Sequence, residues 1–389
     1  MNNKDIIPYA RQQVTTEDID EVVRVLKSSH LTQGKEVPLF EQEVSNLVNA
    51  KYSVATNSAT SALHIACMAL DLGPGDYLWT SSISFVASAN CGIYCGAKIE
   101  FIDIEEDTGL ICIEALEKKL RLAKKDGRLP KIVIPVHLAG SSCDMANIGR
   151  LAKEYNFKVI EDASHAIGGE YRCEKIGNCS HSDITVFSFH PVKIITAGEG
   201  GLATTNIERY ALAMQSKRSH GITKDQSKFV LLDNKPWSYE QQDLGYNYRM
   251  NDIEASLGKS QLKRIDQILN CRRKQFKTYK EYLDSDRFTM MRVPEENNPS
   301  YHLGILILKD KTGYDQTMLY RYLRSKNIYA QIHYTPIHLQ PYHKTHRNQG
   351  DSLDNAERYA KSCISLPLYP GLTEEEQLYV IDSVKKCLT

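Results

Sequence analysis

Lys131-Ile132-Val133-Ile134-Pro135-Val136, then Asp144 to Tyr155, then Phe157-Lys158-Val159-Ile160-Glu161-Asp162 is the stretch that decides the fold. A short apolar run, a helical pattern and a second short apolar run make a strand–helix–strand unit. Working outward, the alternation continues toward the N-terminus. Lys51 to Ala55, Tyr77 to Thr80 and Lys98 to Ile102 read as strands. Ser58 to Leu70, Ser84 to about Tyr94 and Ile113 to Lys125 read as the helices between them. An earlier helix opens at Thr16-Glu17-Asp18-Ile19 and runs to about Ser29, with Val22, Val23 and Leu26 at helical spacing. Strands alternating with helices in this way predict an α/β fold with a mostly parallel central sheet. Right-handed crossovers then flank that sheet with helices on both faces.

The pattern changes after Arg249. Asp252 to Leu283 reads as one long helix rich in Lys, Arg and Leu. Beyond it come an apolar strand, Leu303 to Leu308, a helix from Tyr314 to Ser325 and a terminal helix from Glu374 to Cys387. The expected organisation is a large domain over residues 1–255 and a smaller α+β domain over 256–389.

The 389 residues carry 48 Lys and Arg against 48 Asp and Glu. A neutral chain lacks the basic excess that polyanion partners select, so neither nucleic acid nor a membrane surface is an expected partner. The ten cysteines form no Cys-x-x-Cys and no zinc-finger spacing, so reduced thiols are expected. Several, such as Cys67 between Ala66 and Met68, sit in apolar helical stretches where a thiol acts as a small hydrophobe. Met1 to Asp5 lacks the apolar run of a signal peptide, and no window reaches the length of a membrane span. A cytoplasmic protein is the expectation.

Three constellations could carry chemistry. Lys193 stands between Pro191-Val192 and Ile194-Ile195, where apolar surroundings lower an amine's pKa and free it to attack a carbonyl. A lysine snorkelling from a surface loop is the alternative, and this segment alone leaves both open. Asp162 follows a strand, and in doubly wound sheets ligands gather at strand carboxyl ends. Taken by itself it reads first as the cap of the next turn. Asn57-Ser58-Ala59-Thr60-Ser61 is a polar strand-to-helix junction, able to hold a phosphate on free amides or simply to cap a helix through Ser58. Together they supply an imine-forming lysine, a carboxylate for a ring nitrogen and a phosphate seat, the needs of pyridoxal phosphate. The glycines of Gly198-Glu199-Gly200-Gly201 spell neither a dinucleotide fingerprint nor a Walker loop, which argues against a nicotinamide oxidoreductase.

The chain resembles the sugar-nucleotide aminotransferases of the DegT family, in the fold-type-I pyridoxal-phosphate class. The resemblance covers essentially the full length. Leu31-Thr32-Gln33-Gly34, Asn57 to Leu63, Glu161-Asp162-Ala163-Ser164-His165-Ala166, Ser188-Phe189-His190-Pro191-Val192-Lys193, Gly198 to Gly201 and Gly245-Tyr246-Asn247-Tyr248-Arg249-Met250 carry it. Ile7 to Gln12, Phe189 to Lys193, His333 to Tyr342 and Ser365 to Leu372 resemble the branch of the family that works in pseudaminic acid biosynthesis. The resemblance implies that Lys193 is the Schiff-base lysine and the acid/base of the reaction. Asp162 would pair with the pyridine nitrogen, His165 would lie near the ring and its hydroxyl, and Phe85 would stack on it. Ser188 and the amides around Ala59 and Thr60 would hold the phosphate. Asn247 would reach the phosphate of a neighbouring subunit, which implies a homodimer with shared sites. Tyr9, Thr32, His333 and Tyr334 would line the sugar-nucleotide pocket. The implied substrates are L-glutamate and UDP-2-acetamido-2,6-dideoxy-β-L-arabino-hexos-4-ulose, with another nucleotide-linked 4-keto-6-deoxy sugar as the alternative. A related branch carries histidine in place of the lysine and removes a hydroxyl instead; Lys193 argues against it. So does it argue against a non-catalytic, sugar-responsive regulator on the same fold.

Departures from the family pattern are few: Asn251 stands where relatives often carry Ser or Thr, and Gly198 where some have Ala. His333, His338, His343 and His346 form a loose cluster whose spacing makes no metal-binding helix motif, and no metal is expected. Arg272-Arg273-Lys274 reads as a solvated helix face. Cys91 and Cys95, one helical turn apart, are expected against the core.

Overall fold

The computed structural model describes residues 6–231, 235–309, 315–345 and 352–388. The chain opens with a two-residue strand, β1 (Ile7–Pro8), and two helices, α1 (Thr16–Leu26) and α2 (Glu36–Val48). Strand and helix then alternate through β2 (Tyr52–Thr56), α3 (Ala59–Ala69), β3 (Tyr77–Ser81), α4 (Ala87–Tyr94), β4 (Lys98–Ile102), α5 (Ile113–Asp126), β5 (Ile132–Ile134), α6 (Met145–Tyr155) and β6 (Lys158–Asp162). A small hairpin, β7 (Glu170–Tyr171) and β8 (Glu174–Lys175), leads to β9 (Ile184–Ser188), β10 (Gly201–Thr205) and α7 (Glu208–Arg218).

Seven of these strands form one sheet in the order β2-β10-β9-β6-β5-β3-β4. Every pairing is parallel except those of β10, which runs antiparallel to β9 and β2. Strands β5, β9 and β10 are buried along their whole length, as expected of strands covered on both faces. Helix α3 has eight buried residues, because it lies between the sheet and its neighbours α4 and α7. Parallel strands put their carboxyl ends on one edge of the sheet, where ligands gather in open α/β folds.

One expectation needs correction. The stretch from Asp252 to Leu283 is not one helix but two, α8 (Asp252–Leu262) and α9 (Ile265–Leu283). Tertiary bonds break it: Arg264 turns its guanidinium to Asp18 at 2.8 Å and to the Gln13 carbonyl, while Gln261 bonds Asp18 at 2.6 Å. Helix α2 was not anticipated, since Pro38 interrupts its pattern. The proline sits in the first turn, where an amide has no intrahelical acceptor to lose. The Asn251 departure proves conservative, because Asn251 caps α8 with its side chain, accepting from the Glu254 amide at 2.9 Å.

Beyond α9 the chain forms a three-stranded antiparallel sheet of Phe288–Met290, Gly304–Leu308 and Cys363–Leu366. The helices Gln316–Ser325 and Glu374–Leu388 pack with it and with the later turns of α9. The α+β character is as expected, with Tyr314, the expected first residue of the helix to Ser325, lying outside the described residues. Strand β1 crosses to this part and pairs with Ile328–Tyr329, carrying Tyr9 toward the sheet's carboxyl edge. Among the described residues no helix is long and apolar enough to cross a membrane.

Candidate active site

Asp162 ends the central strand β6, Ser188 ends its neighbour β9, and Ser58 caps α3 just past the end of β2. Lys193 lies in the loop between β9 and β10. The fold thus delivers all four to one edge of the sheet. They line a single cavity of about 320 Å³. Of the residues expected at the site, Tyr9, Ala59, Thr60, Phe85, Asp162, His165, Ser188, Lys193, His333 and Tyr334 all line it.

The two readings of Asp162 turn out to be one. Its Oδ1 caps the following turn, accepting from the Ser164 amide at 3.1 Å and the Ser164 hydroxyl at 2.6 Å. Its Oδ2 accepts from Ser88 Oγ at 2.6 Å, and Ser88 is itself 2.6 Å from Ser84 Oγ. A buried carboxylate with both oxygens bonded is held in one orientation. The same holds at α3. Ser58 accepts from the Ser61 amide at 3.2 Å, leaving the first amides of the helix, at Ala59 and Thr60, on the cavity wall. Gly201 is what lets β10 pass this close, since a Cβ there would sit 2.4 Å from the Ala59 nitrogen.

Burial pulls the Lys193 ammonium down to about 8, and the opposing pull of Asp162 does not restore it. The apolar-setting reading of Lys193 therefore prevails over the surface-loop reading. Burial, then the Lys193 charge, hold His165 well below the ordinary imidazole range, so it is neutral. The same causes bring His333 to about 3. The Ala139 amide donates to His165 Nδ1 at 3.3 Å, which assigns the ring proton to Nε2. Nε2 lies 3.2 Å from the Tyr334 hydroxyl and donates to it, leaving the tyrosine's own proton for another acceptor. His333 is fixed by a 2.8 Å bond to Ser365 and packs 5.2 Å from the Tyr9 ring. Phe85 stands at the cavity wall with 59% of its surface exposed.

Thr32 and Asn247 do not line this cavity, and both are exposed. Thr32 sits in the loop that packs on the start of α8, where Asp252 accepts from the Gly34 amide at 2.6 Å. Asn247 bridges to Ser219 on the arm that follows α7. The histidine cluster disperses: His333 enters the cavity, His338 meets Glu357 at 3.3 Å, His343 packs against Phe101, and His346 lies outside the described residues. Arg272 corrects a further expectation. It is fully buried, and its guanidinium donates to the carbonyls of Leu368 at 2.9 Å and of Tyr301 and His302 at 3.3 Å. Ser88 and His302 were missed by sequence reasoning. His302 lines the cavity with its ring 4.4 Å from that of His165. A serine inside a helix and a histidine before a strand carry no local signal.

A depressed amine, a clamped carboxylate at the sheet's centre and a helix start for a phosphate define a fold-type-I pyridoxal-phosphate transferase. A profile of the DegT/DnrJ/EryC1/StrS aminotransferase family matches residues 12–385, and the chain belongs to that family, whose members work with pyridoxal phosphate. It is 35% identical to the UDP-4-amino-4,6-dideoxy-N-acetyl-beta-L-altrosamine transaminase of Campylobacter jejuni, over 97% of this chain and 96% of that protein. It is 33% identical to the spore coat polysaccharide biosynthesis protein SpsC of Bacillus subtilis, over 97% of this chain and 96% of that one. Among solved structures, PseC of Helicobacter pylori, an aminotransferase involved in the biosynthesis of pseudoaminic acid, superposes with a TM-score of 0.90 at 31% identity, covering 99% of each chain.

Proposed function

We propose that this aminotransferase moves an amino group from L-glutamate to C4 of UDP-2-acetamido-2,6-dideoxy-β-L-arabino-hexos-4-ulose, giving UDP-4-amino-4,6-dideoxy-N-acetyl-β-L-altrosamine. The observation that carries the reaction type is Lys193, an amine brought down to about 8 in the cavity that Asp162 also lines. The sugar rests on the name of the Campylobacter relative. Pyridoxal phosphate, when bound, supplies the electron sink that lets a C–H bond next to nitrogen ionise.

The chain's own groups divide the remaining work. Lys193 Nζ would hold the cofactor and, once released, would serve as the base that takes the proton from the donor's α-carbon in one half-reaction and as the acid that delivers a proton to sugar C4 in the other. Asp162, fixed by Ser88 and Ser164, would pair with the ring nitrogen and keep it protonated. The start of α3 and Ser188 hold the phosphate. Neutral His165 adds no second positive charge beside the lysine, and with Tyr334 it bounds the face where substrate enters. Tyr9 and His333 complete the sugar side of the cavity.

Asn247, off its own chain's cavity, is assigned to the neighbour's phosphate in a homodimer, and the exposed Thr32 to the same shared sites. The arm that carries Asn247 also exposes Trp237, Tyr239 and Leu244, an apolar surface suited to a second copy. The decisive assay offers glutamate and a panel of nucleotide keto-sugars to the purified protein and reads product by NMR. The UDP β-L-arabino sugar should be aminated at C4 with release of 2-oxoglutarate. Amination of only a dTDP-linked or D-configured sugar would replace this substrate with the alternative, another nucleotide-linked 4-keto-6-deoxy sugar.

A further inference from the structure

Strand β6 ends in two carboxylates, Glu161 and Asp162, and only the second lines the cavity. Side chains alternate along a strand, so Glu161 points to the opposite face of the sheet. It is buried there, with 5% of its surface exposed. Its Oε2 lies 2.7 Å from His137 Nε2, and its Oε1 accepts from Thr185 Oγ1 at 2.9 Å and from Ser182 Oγ. His137 is fully buried, and the Cys143 amide reaches its Nδ1 at 3.2 Å. Burial pushes the Glu161 carboxyl up, but His137, Ser182 and Thr185 outweigh it and hold the group below its ordinary range, so it is an anion.

The backbone ladder is interrupted at this place. Strands β5 and β6 pair regularly at Ile132 with Lys158 and at Val133 with Val159. Pro135 then has no amide to give, and β5 ends at Ile134. Pairing resumes for a single bridge, Val136 with Asp162. There the Asp162 amide donates to the Pro135 carbonyl at 2.9 Å, and the His137 amide donates to the Asp162 carbonyl at 3.0 Å. The residue whose ring holds Glu161 is thus the one whose amide holds Asp162. On the other side, Glu161 pairs in register with Thr185 of β9, which is also its side-chain donor. Stability alone does not call for this device, since well-packed apolar side chains hold a sheet at least as well as a buried charge.

We propose that Glu161 and His137 are positioning residues for Asp162. Their bond spans β6 and the continuation of β5 where Pro135 removes a tie, and so fixes the end of the strand. Ser88 and Ser164 set the rotation of the Asp162 carboxylate; Glu161 and His137 set where its backbone stands. The proposal rests on the reading of Asp162 as the partner of the cofactor's ring nitrogen.

The test uses holoenzyme loaded with pyridoxal phosphate labelled at the ring nitrogen, whose protonation NMR follows across pH. Glu161→Leu combined with His137→Leu should leave stability to denaturant near that of wild type. Its ring-nitrogen midpoint should nevertheless fall by about one pH unit or more, as a displaced carboxylate no longer stabilises the proton. Glu161→Gln, which keeps an oxygen for His137, should stay close to wild type. A double variant that loses stability but keeps the wild-type midpoint overturns the proposal and leaves the pair a structural brace. Asp162→Asn separates the two readings. A midpoint it does not move removes Asp162 from the ring nitrogen; a midpoint that falls in Asp162→Asn but not in the double variant overturns only the role of Glu161 and His137. Should the double variant not fold, Ser182→Ala decides, since it removes one Glu161 donor at a half-buried position. Its midpoint should fall in the same direction by a smaller amount, and a wild-type value overturns the proposal.

Discussion

Lys193 and Asp162 face one cavity, yet they are prepared in opposite ways. The lysine is left in apolar surroundings, and the carboxylate is tied by Ser88 and Ser164. The amine's depression has a consequence for apoprotein that can be read in two ways. Free amine, the form that captures the cofactor, should appear as pH rises through about 8, so the capture rate should climb across that pH. Between about 8 and the lysine's ordinary 10.5, the unfolded chain binds more protons than the native one. Apoprotein stability should therefore rise with pH across that window. Denaturant titrations of apoprotein and of Lys193→Met at several pH values check the sign: only the lysine form should gain. An equal slope in the two proteins would return Lys193 to the reading of an ordinary surface amine.

At the scale of elements, the sheet's carboxyl edge is organised by close backbone approach. Gly201 pairs with Thr56 on one side and Ser188 on the other, so it sits between the last residues of β2 and β9. A Cβ there would meet the Ser58 carbonyl carbon at 2.3 Å and the Ala59 nitrogen at 2.4 Å, both backbone atoms that cannot swing aside. Gly201→Ala should push the start of α3 off the cavity. Cofactor affinity, measured by absorbance titration of apoprotein, should fall by about tenfold or more, the equivalent of one lost charge-assisted hydrogen bond. Unchanged affinity would mean that the helix start does not hold the phosphate. Much of this architecture is legible in sequence. Strands such as the fully buried Ile132–Ile134 and the Asp162 strand, buried from Val159 on, announce themselves as apolar runs, and Lys193 stands out as a lone cation among aliphatics. What escapes is long-range. Nothing near Arg264 says that Asp18 will bend the helix there. Nothing in the Arg272-Arg273-Lys274 triplet says that its first member donates inward to three carbonyls while a run of charge usually faces water. Ser88 is invisible for the same reason, because its partner lies 74 residues away.

For the whole molecule, the two expected site residues that miss this chain's cavity are the informative ones. Asn247 and Thr32 lie exposed on the surface, whereas the ten other expected residues line one cavity. On the proposed reading Asn247 is a phosphate ligand kept outside its own chain's cavity, and a closed two-fold pair would let each arm serve the other's site. That arrangement separates two kinds of inactive variant. Lys193→Ala removes the amine from its own cavity, and Asn247→Ala removes the contact from the neighbour's. Unfolded together and refolded, the two variants should form hybrid dimers in which one cavity has its lysine and also receives the partner's asparagine, while the other lacks both. Random pairing makes about half of the dimers hybrid, each with one intact site of two, so activity should recover to about a quarter of wild type. Each variant refolded alone should stay near its own low rate. A mixture no more active than the mean of its components would mean that each cavity is complete within one chain, and Asn247 would then have to act within its own subunit or not at all.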